Sequence, residues 1–110
     1  MNIQAYEAPL TQWKATVLDY VRSGVPDLTN RQMALLLLIH LDEGPHTIRG
    51  VAKVLKVTKP VITRALTRLS ELRLARRAPD PKDKRNVFAV ATPEGAEFLR
   101  KLQHLHLGHA

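Results

Sequence analysis

The hydrophobic pattern of this 110-residue chain leaves the helical period after Leu72, and that change sets the kind of fold available to it. Up to Leu72, apolar residues return at spacings of three and four, as the buried stripe of an α-helix does. Beyond it they gather into two short runs, Leu74–Ala78 and Val87–Ala91. Val87, Phe88 and Val90 favour a pleated strand, and the Pro- and Asp-rich joint between the runs favours a turn. Thr92-Pro93-Glu94 then opens a last helix with a cap, a proline at the first helical position and an acid in the first turn. Helices, then a hairpin, then a helix is the expected order.

The helical part is punctuated clearly enough to be divided. Residues 1–8 have weak periodicity and read as a loose arm. From about Pro9 to Arg22 the stripe is Leu10, Trp13, Val17 and Val21, stopped by Gly24 and Pro26. Thr29 with Gln32 forms a capping box, and Leu28 with Met33 a hydrophobic staple. The helix that follows, through Ala34–Leu41, is apolar nearly all round and is expected to be the buried central one, ended by Gly44-Pro45. Thr47 caps a short helix over Ile48 to about Leu55, and Lys56-Val57 makes a tight break. Thr58 is expected to cap the next helix, with Pro60 tolerated in its first turn. There Ile62, Ala65 or Leu66, Leu69 and Leu72 form the inward stripe, leaving Lys59, Thr63, Arg64, Thr67 and Arg68 on the outward side. The last helix carries Phe98, Leu99, Leu102 and Leu105. The fold class is therefore mainly α with a small β-hairpin wing, in the order helix-helix-helix-helix-hairpin-helix, as one domain over residues 1–110.

Composition removes several classes of function. Hydrophobic residues make up 45% of the chain, enough for a core. No apolar run approaches the roughly twenty residues of a membrane span. The chain opens without a basic-then-apolar leader, so a cytoplasmic location is the expectation. With no cysteine there is no disulfide, cysteine-ligated zinc or thiol nucleophile. GxSxG, HExxH and P-loop patterns are absent and the ten acids form no obvious convergent pair, so neither catalysis nor a cofactor is expected.

The net charge of +7 asks for an acidic partner, and its distribution narrows the choice. Residues 1–47 carry −2, residues 48–90 carry +9 from twelve basic and three acidic groups, and residues 91–110 are neutral. More than the whole excess thus lies on forty-three residues, the electrostatic footprint of a polyanion-binding surface. A membrane surface would want those charges on one amphipathic helix, whereas they spread over several elements.

Two short helices joined by a tight turn and followed by a basic hairpin describe a winged helix-turn-helix. The second helix of such a motif enters the major groove, a role that suits Thr58–Arg68. Arg64 and Arg68 can donate in bidentate fashion to guanine or phosphate, and Thr63 and Thr67 can bond bases or phosphate oxygens. The wing offers Lys82, Lys84 and Arg85 to the backbone or to a narrow minor groove. Asp80 and Asp83 suit a basic turn only if they orient a neighbouring Lys or Arg.

At these residues the chain resembles the multiple-antibiotic-resistance-regulator (MarR) family of bacterial transcription regulators, over Leu28–Leu99. The most specific part is Asp80-Pro81-Lys82-Asp83-Lys84-Arg85, then Val87–Ala91 and Thr92-Pro93-Glu94-Gly95, similar to the family's wing signature. Thr58-Lys59-Pro60-Val61-Ile62-Thr63-Arg64 running into Arg68-Leu69 resembles its recognition helix. The resemblance implies double-stranded DNA as partner. Thr58, Lys59, Pro60, Thr63 and Arg64 then grip or read the major groove, and Arg85 reaches the minor groove. It also implies a homodimer on a palindromic site. Lys84 departs from the family's arginine and loses its planar fork. Arg73 stands where the family prefers glycine. Family members usually have longer dimer helices bordering a ligand pocket, so the short terminal segments weaken the expectation of a small-molecule effector.

The remaining features have plainer readings. The segments 9–24 and 93–107 are the expected dimerisation helices, through Leu10, Trp13, Val17 and Val21 and through Leu99, Leu102 and Leu105. Trp13 reads as core or dimer contact rather than a ligand platform. His104, His106 and His109 read as a polar tail rather than a metal site, and His40 and His46 as helix-end contacts. The competing function is a winged-helix module that binds an acidic protein.

Overall fold

The computed structural model describes residues 7–108. It contains five helices, α1 (Ala8–Arg22), α2 (Asn30–Leu41), α3 (Ile48–Leu55), α4 (Lys59–Glu71) and α5 (Pro93–Leu107), with three short strands, β1 (His46–Thr47), β2 (Ala75–Pro79) and β3 (Val87–Ala91). The expected order of elements holds, with β1 added to it. Most of the arm expected over residues 1–8, and His109, lie outside the described residues.

Local chemistry sets most of the boundaries. The Thr29 hydroxyl accepts from the Gln32 backbone N–H at 3.1 Å, while the Gln32 side chain accepts from the Thr29 N–H at 2.9 Å. Such a reciprocal cap contributes about 1 kcal/mol to the helix it starts. Thr47 caps α3 in the simpler way, accepting from Gly50 N–H at 2.9 Å. Thr58 holds the cap position of α4, but its side chain makes no capping bond. Its backbone carbonyl accepts from Val61 and Ile62 instead, and Pro60 in the first turn has no N–H to satisfy.

Two helices end on cations in the left-handed conformation, Lys56 at φ 56° and Arg73 at φ 63°. Both make the paired closing bonds of a Schellman turn. Lys56 N–H donates to Lys53 and Val57 N–H to Ala52; Arg73 N–H donates to Ser70 and Leu74 N–H to Leu69. The tight break expected at Lys56-Val57 is this turn, and the second one sends the chain from α4 into β2.

The chain divides into two compact units. The larger, Leu28–Glu97, holds α2, α3, α4, the sheet and the first turn of α5. Its core is built from Leu35, Leu36 and Ile39 of α2, Val51 and Ala52 of α3, and Ile62, Ala65, Leu66 and Leu69 of α4, closed by Leu74, Ala75 and Ala89. The sheet is antiparallel in the order β1-β3-β2, pairing Ala75 with Ala91 and Pro79 with Val87 across the hairpin, and His46 with Ala89 on the other edge. The first hairpin strand begins one residue later than the run Leu74–Ala78 suggested, because Leu74 is spent on closing the α4 turn. α2 is less enclosed than its composition implied: Leu37 is 36% and Leu41 73% exposed, so only one side of it serves the core. Gly95 sits where a Cβ would collide with the Leu74 carbonyl and the His40 ring. His40 Nε2 donates to that same carbonyl at 3.3 Å, so α2, the turn that closes α4 and the start of α5 meet at a point with no room for a side chain.

The smaller unit comprises the described part of the chain up to Asp27 together with Phe98 onward. Its buried groups are Thr16, Tyr20 and Phe98, with the Tyr20 and Phe98 rings edge to face at 6.2 Å between centroids. Tyr20 donates its hydroxyl to the Pro26 carbonyl at 2.6 Å. Thr16 donates to the Gln12 carbonyl at 3.1 Å, so His106 Nδ1, 3.3 Å away, is the donor to Thr16. The stripe assigned to dimerisation on α1 is its exposed side. Trp13 is 58% and Val21 63% exposed, and Leu10 and Val17 are exposed with them, which excludes the core reading of Trp13. Leu99, Leu102 and Leu105 are half-buried.

Candidate nucleic-acid interface

α4 is held by one face and offers the other. Burial of Ile62, Ala65, Leu66 and Leu69 fixes its rotation, which leaves Lys59, Pro60, Thr63, Arg64, Thr67 and Arg68 exposed, with Thr58 exposed just before them. Of these side chains, Arg68 is 3.4 Å from Glu71, an exposed i,i+3 pair that holds it only weakly. No ion pair engages Arg64 among the described residues.

Thr67 is the most constrained. Its hydroxyl donates to the Thr63 carbonyl at 2.9 Å. Arg77, reaching from β2, donates through Nη2 to the same carbonyl at 3.3 Å and, in a very short contact, to the Thr67 hydroxyl. The sequence reading did not single out Arg77. It lies in a two-arginine strand segment that only the charge tally registered, and its reach to α4 depends on strand placement that no local motif encodes.

The wing is a compact polar turn. Asp80 accepts from the Lys82 N–H at 2.8 Å and from the Asn86 side chain at 3.3 Å, tying the two ends of the loop together. Asp83 accepts from the Arg85 backbone N–H at 3.0 Å and takes its guanidinium in a fork, with Nε at 3.1 Å and Nη2 at 3.3 Å. The fork holds the Asp83 carboxyl below the usual carboxylate range. The Arg85 side chain contributes most and its backbone N–H next; burial opposes them, and the charge of Arg49 adds the smallest lowering effect. Arg85 stays 86% exposed. Two of its five N–H groups serve Asp83. Lys82 and Lys84 are exposed beside it.

These parts meet in one cleft. Ile48, Arg49, Lys59, Thr63, Arg85, Asn86 and Val87 line a hollow of about 190 Å³. It thus draws on the start of α3, the first half of α4 and the base of the wing, with three cations and no acid in its lining. Arg49 and Asn86 are further residues that the motif reading missed. Neither belongs to a recognisable signature, and they join the site only through the packing of α3 beside the wing. Arg64, Arg68, Lys82 and Lys84 lie outside that lining. Among the described residues no three His, Asp or Glu side chains group as a metal site, and no helix is long and apolar enough to cross a membrane.

The comparisons agree with this architecture. A model described as the MarR family matches residues 27–86. Over 75 residues the chain is 31% identical to YkoM, an uncharacterized HTH-type transcriptional regulator of Bacillus subtilis (strain 168), covering 68% of this chain and 48% of the relative. The chain therefore spans about half the length of that curated relative. The transcriptional regulator Tm0710 from Thermotoga maritima is 25% identical, with a TM-score of 0.75 over 93% of this chain and 69% of its own. MepR of S. aureus, solved as a complex with DNA, is 20% identical with a TM-score of 0.77, over 92% of this chain and 81% of its own. The last likeness bears on the fold, which is that of a winged helix. With a family match over more than half its length and a relative above 30% identity, the chain belongs to the MarR family.

Proposed function

We propose that the protein is a sequence-specific double-stranded DNA-binding transcriptional regulator, acting as a repressor on a palindromic operator. The observation that carries this reading is the cleft shared by α4 and the wing, lined by Arg49, Lys59 and Arg85 without an acid. A surface of that kind suits a polyanion, and an exposed helix beside it has the dimensions of a major-groove reader. In this reading Lys59, Thr63, Arg64, Thr67 and Arg68, with Thr58 and Pro60 at the helix start, face the major groove. Lys82, Lys84 and Arg85 reach the backbone or the minor groove, and Asp80 and Asp83 hold the wing in shape for them. The names of the relatives, transcriptional regulators in both cases, and the DNA complex of a protein of the same fold support it.

The exposed stripe Leu10, Trp13, Val17 and Val21 supports a homodimer, with Leu99, Leu102 and Leu105 as further contacts. A dimer places two recognition helices about one helical turn of DNA apart, which is why the site is expected to be palindromic. A cytoplasmic, nucleoid-associated location follows from that partner. Selection of bound sequences from a random duplex library tests the proposal. Enrichment of an inverted repeat is expected, with affinity falling steeply as salt is raised. Failure of any sequence to enrich would overturn it.

A further inference from the structure

Two threonines one turn apart on the exposed side of α4 differ in what their hydroxyls have left to give. A threonine hydroxyl has one proton to donate and two lone pairs to accept with. No partner engages the Thr63 hydroxyl among the described residues, so both capacities are open. The Thr67 hydroxyl sits between a carbonyl, which can only accept, and a guanidinium, which can only donate. Its proton is therefore committed to the Thr63 carbonyl and one lone pair to Arg77. One lone pair remains.

We infer that Arg77 is a positioning residue that fixes Thr67 as an acceptor-only group, so that Thr67 selects a base carrying an exocyclic amino group in the major groove. Adenine N6 and cytosine N4 are the only amino donors on major-groove edges; guanine offers N7 and O6, and thymine O4 and a methyl group. A hydroxyl with its proton spent has nothing to donate to guanine, thymine or a phosphate oxygen. The inference rests on the DNA-binding reading above and sharpens it, since an unconstrained threonine accepts from or donates to any base and carries little selectivity. Arg77 makes the difference from the neighbouring strand. Its Nη2 bonds both the hydroxyl and the carbonyl to which that hydroxyl donates, so the rotor is held at both ends. The guanidinium also keeps positive charge beside the helix.

The test uses the full chain and the duplex selected from the random library, with every base pair of one half-site varied in turn and affinity read by fluorescence anisotropy. At one position the wild-type protein is expected to favour adenine or cytosine by about 3- to 10-fold, the size of one hydrogen bond to a base. Replacing that adenine by purine, or that cytosine by its 4-desamino analogue, should remove the preference. T67V should flatten that position to within about twofold and leave the preferences elsewhere intact, whereas T67S should retain it. R77M should flatten the same position, and the double variant should flatten it no further. Thermal melting confirms that each variant is folded.

If the wild type binds selectively but T67V keeps every preference, or weakens all sequences equally, the acceptor assignment is overturned while the DNA-binding reading stands. If R77M leaves the preference untouched, Arg77 has no positioning role. If the wild type distinguishes no duplex from another, both readings fall together.

Discussion

α4 and α1 are amphipathic helices of similar length with opposite relations to solvent. α4 buries its leucines and isoleucine and offers Lys59, Arg64 and Arg68. α1 buries Thr16 and Tyr20 and offers Leu10, Trp13, Val17 and Val21. The first arrangement is complete within its own unit and presents charge suited to a polyanion. The second leaves a run of large apolar side chains exposed, which supports the proposed dimer surface. Amphipathicity alone therefore does not tell which side of a helix faces the core. The answer depends on which side finds partners in the same chain, and on α1 two polar-tipped residues found them first.

The largest expected effect separates these two helices by stability. Leu66→Ala in α4 removes a side chain with no exposed surface and should cost about 2–5 kcal/mol by chemical denaturation. Val17→Ala on the exposed side of α1 should cost less than about 0.5 kcal/mol under monomeric conditions. Equal losses would mean that the α1 stripe is packed within one chain and would end the contrast.

Gly95→Ala comes next. The added methyl must displace both the Leu74 carbonyl and the His40 ring that bonds it, at a cost of about 1–3 kcal/mol seen as a lower melting temperature. A neutral result would show that the junction in the larger unit is loose. In the opposite direction, Arg73→Gly should stabilise by about 0.5 kcal/mol, because the left-handed backbone is strained for arginine and the gain is partly offset in the unfolded chain.

The smallest expected effect concerns the wing. Because Asp83 titrates below the usual carboxylate range, its fork with Arg85 is intact at neutral pH. It is lost only as the pH falls through that lowered value. Arg85→Ala should move the Asp83 midpoint, followed by carbon-detected NMR, back up toward an ordinary aspartate. No movement would mean that the fork is not formed in solution.

How much of this was readable in the chain depends on distance along it. The capping box at Thr29 and Gln32, the break at Lys56 and the strand Val87–Ala91 were legible because each is settled by residues within a few positions of one another. The outward side of α4 was legible because four apolar residues at helical spacing leave only one way to orient it. β1 was not, since two residues carry no period and their partner in β3 lies some forty residues on. Thr58 differs from Thr47 in having a proline two residues on, which removes one N–H that a capping hydroxyl could accept from, while Val61 N–H goes to its carbonyl. Within the site, Asp83 and Arg85 could be paired by proximity. Arg49 and Arg77 enter it from α3 and β2 and became visible only once those elements were placed.

In the proposed function it is the charge of the larger unit, and not charge in general, that binds DNA. Affinity for the selected duplex should be measured at one salt concentration for Arg64→Ala, Arg85→Ala and Lys14→Ala. The last of these removes a cation that is also exposed, from α1. The account predicts that the two arginine variants each bind at least about 10-fold more weakly while Lys14→Ala stays within about twofold. Equal effects from all three, or none from any, would contradict it.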